Sequence, residues 1–191
     1  MKEQKKIIAI PGSTRKSSTN LHLINAIIEL SAGLFNISLF QGLTEIPHFN
    51  PDLDTDHPPK AVSDFRKQLN EADGILICTP EYAMGVPGSL KNAIDWTVSS
   101  MEFSNKPVAL ITASSSGQKG HLSLMESLKI IESDIPDSSQ LLISFVQTKI
   151  KGDAIVDADT LQQVKDLIDS LIRTINKKNS GPPDNNSNSE Q

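Results

Sequence analysis

Two loops hold most of the residues able to do chemistry. The first follows an apolar run and reads Gly12-Ser13-Thr14-Arg15-Lys16-Ser17-Ser18-Thr19-Asn20. The hydroxyls of Ser13, Ser18 and Thr19, the Asn20 amide and the Arg15 guanidinium supply about as many donors as one phosphate monoester has acceptor oxygens. A helix beginning at their end would add unpaired N–H groups and the positive end of its dipole. Only Gly12 stands where a dinucleotide fingerprint needs three glycines, and no Gly-Lys-Ser/Thr closes a Walker loop. On this stretch alone a phosphate site and a plain Pro-Gly turn with a hydroxyl N-cap stand level.

The second loop is "TPEYAMGVPGSLKNAIDW", residues 79 to 96. Pro80 and Gly85 break the chain, Tyr82 offers a ring, and Pro87 suits the first turn of a helix. Leu90, Ala93, Ile94, Thr97, Val98 and Met101 form a stripe at helical spacing. Trp96 falls off it, so the sequence places Trp96 against another subunit, with the rim of its own core as the rival reading. Lys91 and Asp95, four apart, read as a surface ion pair.

The elements that must position these loops come from short Ile/Leu/Val runs alternating with helical periods. Strands are expected at Lys6–Ile10, Asn36–Phe40, Gly74–Thr79, Pro107–Thr112 and Leu141–Val146. Helices are expected at Asn20–Ser31, Lys60–Glu71, Pro87–Met101, His121–Ile131 and Asp159–Ile175. Almost continuously apolar strands in strict alternation with helices specify an open, doubly wound α/β sheet covered on both faces. Ligands of such sheets bind outside the carboxyl ends of the strands, where both loops fall. The proline-rich stretch from Gln41 to Pro59 is a long loop of the kind that borders a ligand site. Residues 1–175 form one domain, and 176–191, nearly devoid of apolar side chains, read as a disordered polar tail.

Composition narrows the class. A net charge of −5 argues against general nucleic-acid binding. One cysteine, Cys78, excludes an internal disulfide, makes a Cys-based zinc site improbable and suits a reducing, cytoplasmic setting. Its place in an apolar run reads as a buried small hydrophobe. No apolar run approaches a membrane span. The four histidines lack metal-ligand spacing, and His57 with Asp52, Asp54 and Asp56 reads as solvated loop charge rather than a cation site.

The two loops together resemble the NADPH-dependent FMN reductase family. Gly12, Ser13, Arg15, Ser18 and Asn20 match its phosphate loop, G-S-x-R-x-x-S-x-N. Residues 80 to 96 match its second box, P-E-Y-N-x-x-x-P-G-x-L-K-N-A-I-D-W, apart from Ala83 where the family carries Asn. The resemblance implies a flavodoxin-like three-layer sandwich, a five-stranded parallel sheet in order 2-1-3-4-5, bound FMN, and a homodimer or homotetramer. It implies that the FMN phosphate lies on Ser13, Arg15, Ser18 and Asn20, with Thr19 beside them as a further cofactor-binding candidate from the loop's own donors, and that the flavin edge rests on Pro80, Glu81, Tyr82, Ala83, Met84 and Gly85. There, backbone N–H groups would bond the ring. "ASSSGQKGH" (113–121) resembles the loop on the other side of the ring through Ser114, Ser115 and Gly117.

NADPH or NADH would then reduce the flavin, and FMN, a quinone, an azo compound or chromate would collect the electrons in ping-pong order. No catalytic acid or base is needed. Amides of the Gly117–Gly120 loop would support the charge of the reduced ring. His121 stands near the acceptor space, and Glu81 is expected to anchor its own loop rather than touch the ring. The rival classes are a flavodoxin-type electron carrier and a flavin-free phosphate-binding regulatory domain.

Overall fold

The computed structural model describes residues 4–179. Five parallel strands, β1 (Lys5–Pro11), β2 (Phe35–Leu39), β3 (Gly74–Thr79), β4 (Val108–Ala113) and β5 (Gln140–Ile143), lie in the order β2-β1-β3-β4-β5. Every side chain of β3 and β4 is buried, which is why those runs are apolar without alternation. Alternate residues feed two cores. Ile8, Ile10, Ile75, Ile77, Val108 and Leu110 face one side, with Ile7, Ala9, Leu76, Cys78, Ala109 and Ile111 on the other.

Helices α2 (Lys60–Glu71), α3 (Gly88–Asp95) and α4 (Gln118–Ile130) contribute to the first core. Helices α1 (Thr19–Leu30) and α6 (Ala158–Asn179) contribute to the second. In α2, Val62, Phe65 and Leu69 stand at i, i+3 and i+7 and are buried, giving the single apolar stripe such a helix needs. Helix α6 carries the fold to Asn179, so residues 176–179 are helical rather than tail, while 180–191 lie outside the described residues.

Helix α3 stops at Asp95, six residues short of the expectation. Leu90, Ala93, Ile94 and Thr97 are buried as the stripe requires, but Val98 and Met101 are exposed. The expected partner surface for Trp96 is also corrected, because its own chain covers it. The loop after β2 folds back so that the Trp96 indole N–H donates to the Pro47 carbonyl at 2.8 Å, and Phe49 packs edge-on to the indole at 5.1 Å. Asn92 Nδ2 donates to Pro47 O at 3.0 Å, and Asn92 Oδ1 accepts from Phe49 N at 2.7 Å.

Asp54, expected in solvent, is the most altered residue of that loop. Its carboxylate pairs with Arg66 at 2.6 Å and accepts from Ser99 Oγ at 2.5 Å. These bonds, Ser99's first, hold it below the ordinary carboxylate range. Arg66 also donates to the Trp96 carbonyl. The proline-rich loop therefore braces α2 against α3.

The last strand region differs most. β5 ends at Ile143, and the chain turns through Phe145 into a one-turn helix, α5 (Val146–Lys149), and a small antiparallel hairpin, β6 (Ile150–Lys151) with β7 (Ala154–Ile155). That hairpin packs beside α1 and is tied to it where the Asp153 carboxylate meets His22 Nδ1 at 2.6 Å and accepts from Asn25 at 3.2 Å.

Candidate functional site

At the carboxyl ends of the strands the two loops meet, and a glycine makes that approach possible. Gly12 N donates to Cys78 O at 2.8 Å, and a Cβ on Gly12 would lie 2.1 Å from Thr79 Oγ1. Any larger residue would push the first loop off β3. Ser18 then caps α1: its backbone is extended (φ −91°, ψ 136°) and its hydroxyl oxygen accepts from Asn20 N at 3.2 Å. The positive end of α1 consequently opens onto the pocket.

The pocket, about 370 Å³, lies within the range of small-molecule sites. Ser13, Arg15, Ser18, Thr19 and Asn20 line one wall, and Pro80, Glu81 and Tyr82 another. Ala113, Ser114 and Ser115 continue the lining, and residues 145–148 close it on the β5 side. Ser13, Ser18 and Asn20 are buried, whereas Arg15 is exposed and Tyr82 about half exposed. The Tyr82 hydroxyl lies 3.3 Å from Ser13 Oγ, so the two loops touch across the cavity. Of the residues singled out from sequence, Ala83, Met84, Gly85 and Gly117 do not line the pocket.

Asn20 lines the pocket but commits its amide inward. Nδ2 donates to Ala113 O at 3.1 Å, and Oδ1 accepts from the buried Cys78 thiol at 3.3 Å. Burial pushes that thiol far up from its ordinary pKa, so it remains a neutral donor. Cys78 is thus a buried hydrophobe with one specific bond, and Asn20 ties the first loop to β3 and β4.

Residues 82–85 form a two-residue hairpin turn. Tyr82 N donates to Gly85 O at 3.0 Å and Gly85 N to Tyr82 O at 2.9 Å, with Ala83 (φ 49°) and Met84 (φ 61°) left-handed between them. This is the conformation that favours Asn or Gly at both central positions. Two of the loop's amides, those of Tyr82 and Gly85, are therefore spent on the turn itself; the hairpin bonds leave the amides of Ala83 and Met84 unused.

Glu81 anchors this hairpin, though to a distant element. Its Oε2 accepts from Gly120 N, in the first turn of α4, at 2.7 Å. The N-cap of α4, Gly117 (φ 94°), gives no side-chain cap, so a carboxylate from another loop takes that role. A Cβ on Gly120 would meet Gly85 O at 3.0 Å and Glu81 Cγ at 3.1 Å, so the hairpin sits directly on the helix. The Gly120 amide, expected to face a reduced ring, is already engaged.

His121 likewise turns away from the pocket it was expected to border. Its Nδ1 lies 2.9 Å from Thr112 Oγ1, and it is absent from the cavity wall. Burial holds the imidazole below its ordinary pKa, with the Gln140 side chain opposing. Lys91 and Asp95 form the expected pair. Among the described residues, no group of three or more His, Cys, Asp or Glu is placed to hold a metal, and no helix is long and apolar enough to cross a membrane.

Residues 145–148 were missed because Leu141–Val146 reads as one continuous strand. The usable signal was positional: polar residues after β5 fall at a carboxyl strand end just as those after β1 and β3 do.

A flavodoxin-like sheet with a pocket lined by serine and threonine hydroxyls at the carboxyl ends of its strands defines the class of protein. The chain belongs to the NADPH-dependent FMN reductase family, whose sequence model matches residues 5–148, and it is an oxidoreductase. It is 26% identical over 172 residues to a quinone reductase of Escherichia coli, covering 86% of this chain and 92% of that one. It is 39% identical over 116 residues to an NAD(P)H-dependent FMN reductase of Pseudomonas aeruginosa, covering 60% and 62%. In fold it is similar to FerB, the flavoenzyme NAD(P)H:(acceptor) oxidoreductase of Paracoccus denitrificans, with TM-score 0.74 at 24% identity, covering 91% and 98%.

Proposed function

We propose that the protein holds FMN in this pocket and uses it to pass electrons from NAD(P)H to quinones or free flavin. The observation that carries this reading is the donor set at the start of α1. Two buried serine hydroxyls, Thr19 and the Arg15 guanidinium share one cavity with the helix N-terminus. That set suits a dianionic phosphate: Ser13, Ser18 and Thr19 donate hydrogen bonds, and Arg15 adds charge from the solvent side. Asn20 holds the loop in place from below.

Bound FMN would supply the two-electron chemistry, accepting hydride equivalents from the nicotinamide and returning electrons to the acceptor. The chain positions and shields. The 82–85 hairpin, locked to α4 by Glu81, would form the ledge for the flavin edge, with the amides of Ala83 and Met84, which the hairpin bonds leave unused, as its candidate donors. Ser114 and Ser115 flank the opposite side. No side chain is needed as acid or base. Donor and acceptor would use one space in turn, a ping-pong order, with azo compounds and chromate as further acceptors to assay. We assign a homodimer or homotetramer on the family resemblance, and a reducing, cytoplasmic setting on the single, buried cysteine.

The test is FMN titration followed by quenching of its fluorescence. Wild-type protein is expected to bind stoichiometrically. Arg15→Met should weaken binding about tenfold, the scale of a charge-assisted contact of about 1.5 kcal/mol. Protein that leaves FMN fluorescence unchanged contradicts the reading.

A further inference from the structure

Two aromatic rings stand at the mouth of the pocket, Tyr82 and Phe145, and the second belongs to none of the family-like loops. Both line the cavity, yet Tyr82 is 49% exposed and Phe145 70% exposed. The serines behind them are almost fully buried: Ser13 keeps 7% and Ser18 5% of its surface. The pocket is thus polar on its floor and aromatic on its rim.

Phe145 is held there against its own preferences. Its backbone is left-handed (φ 54°, ψ 38°), a region where a residue with a Cβ is strained and Gly or Asn is at ease. The strain is imposed from both sides. Phe145 N donates to Ser115 O and Val146 N to Ser114 O, each at 3.2 Å, and Ser144 Oγ donates to Ser116 O at 2.8 Å. Thr148 donates to the Phe145 carbonyl through both its amide, at 3.0 Å, and its hydroxyl, at 2.8 Å. Two unfavourable features, a strained backbone and a solvated ring, fall on one residue, and Asn would relieve both. Such outliers cluster where a ligand uses them.

We propose that Phe145 is a specificity-determining residue, its ring the apolar face on which a planar conjugated acceptor, a quinone, stacks. This rests on the FMN-dependent reductase reading. The phosphate and ribityl hydroxyls of FMN call for the polar floor. The exposed rim is what a second molecule meets each time it enters and leaves. A quinone has no charge to pair with Arg15; its two carbonyl oxygens can accept hydrogen bonds, and its flat conjugated face can stack on a ring. One stacking contact corresponds to a factor of about three to ten in affinity.

The test compares wild type, Phe145→Asn and Phe145→Trp as FMN-loaded proteins. Binding of 1,4-naphthoquinone to the oxidised form is read from the perturbed flavin spectrum, alongside the FMN dissociation constant and the Tm of FMN-free protein. Phe145→Asn should raise the naphthoquinone Kd about three- to tenfold, with a smaller rise for 1,4-benzoquinone, whose face is smaller. FMN affinity should stay within twofold and Tm should not fall, because Asn accepts the left-handed backbone; Phe145→Trp should restore naphthoquinone binding. An unchanged naphthoquinone Kd overturns the proposal, as does an FMN affinity that weakens in parallel or a Tm several degrees lower. Wild-type protein that binds no FMN would instead remove the reading beneath it, and the inference with it.

Discussion

Replacing Glu81 with Ala removes the only hydrogen bond, among the described residues, between the 82–85 hairpin region and α4, the 2.7 Å contact from Gly120 N to Glu81 Oε2. A hydrogen bond to a charged acceptor contributes about 1.5–3 kcal/mol net. Glu81 is only partly buried, which favours the lower end, while the buried Gly120 amide it abandons has no side-chain cap at Gly117 to replace it. The expected loss is about 1.5–2 kcal/mol. For a domain of this size, at about 2–4 °C per kcal/mol, Tm should fall by about 3–8 °C.

Glu81→Gln keeps an acceptor and drops the charge, so it should recover about half of that loss. Gly120→Ala attacks the same contact from the other side, because its Cβ would sit 3.0 Å from Gly85 O. The double variant should therefore lose less than the sum of the two. Thermal unfolding of FMN-free protein, followed by circular dichroism, reads all four. If Glu81→Ala melts within 1 °C (about 0.3–0.5 kcal/mol) of wild type, the hairpin is held by something other than this bond.

Three further outcomes follow from the same geometry. Ala83→Asn places a residue tolerant of positive φ in the left-handed turn (φ 49°) and should raise Tm by about 1–4 °C, on a gain of about 0.5–1 kcal/mol. Asn92→Ala removes the bonds to Pro47 and Phe49, and limited proteolysis between residues 46 and 57 should speed up while α2 and the sheet stay protected. His121 is held below its ordinary pKa by burial, so below about pH 6.5 the unfolded chain binds the extra proton that the fold resists. Stability from this residue is complete above that pH and declines below it. His121→Gln should flatten the acid side of a Tm-versus-pH profile.

The sheet was legible because β3 and β4 are buried on both faces, so their side chains had to be apolar in unbroken runs. Helix α2 was legible to the residue, since Val62, Phe65 and Leu69 mark its stripe and prolines precede it. Helix α3 was read too long: Val98 and Met101 continue the period although the helix ends at Asp95. Four- and two-residue pieces such as α5 and β6–β7 carry no period at all. In the site, hydroxyls at a strand end announced themselves by type. Asn20's inward amide, Glu81's reach across 39 residues and the left-handed Phe145 did not, because each depends on what the fold brings alongside. Trp96 misled for a related reason: an aromatic off the main stripe needs a cover, and only the folded loop at Pro47 shows that the chain provides its own.

The most direct test of the account is an anaerobic two-stage reaction of FMN-loaded protein, followed by the visible absorbance of the flavin. One equivalent of NADPH, or NADH if NADPH fails, should bleach it within seconds, and a later equivalent of quinone should restore the colour without oxygen. Protein that binds FMN yet keeps its colour with both nicotinamides would be a carrier rather than a reductase, contradicting the central claim.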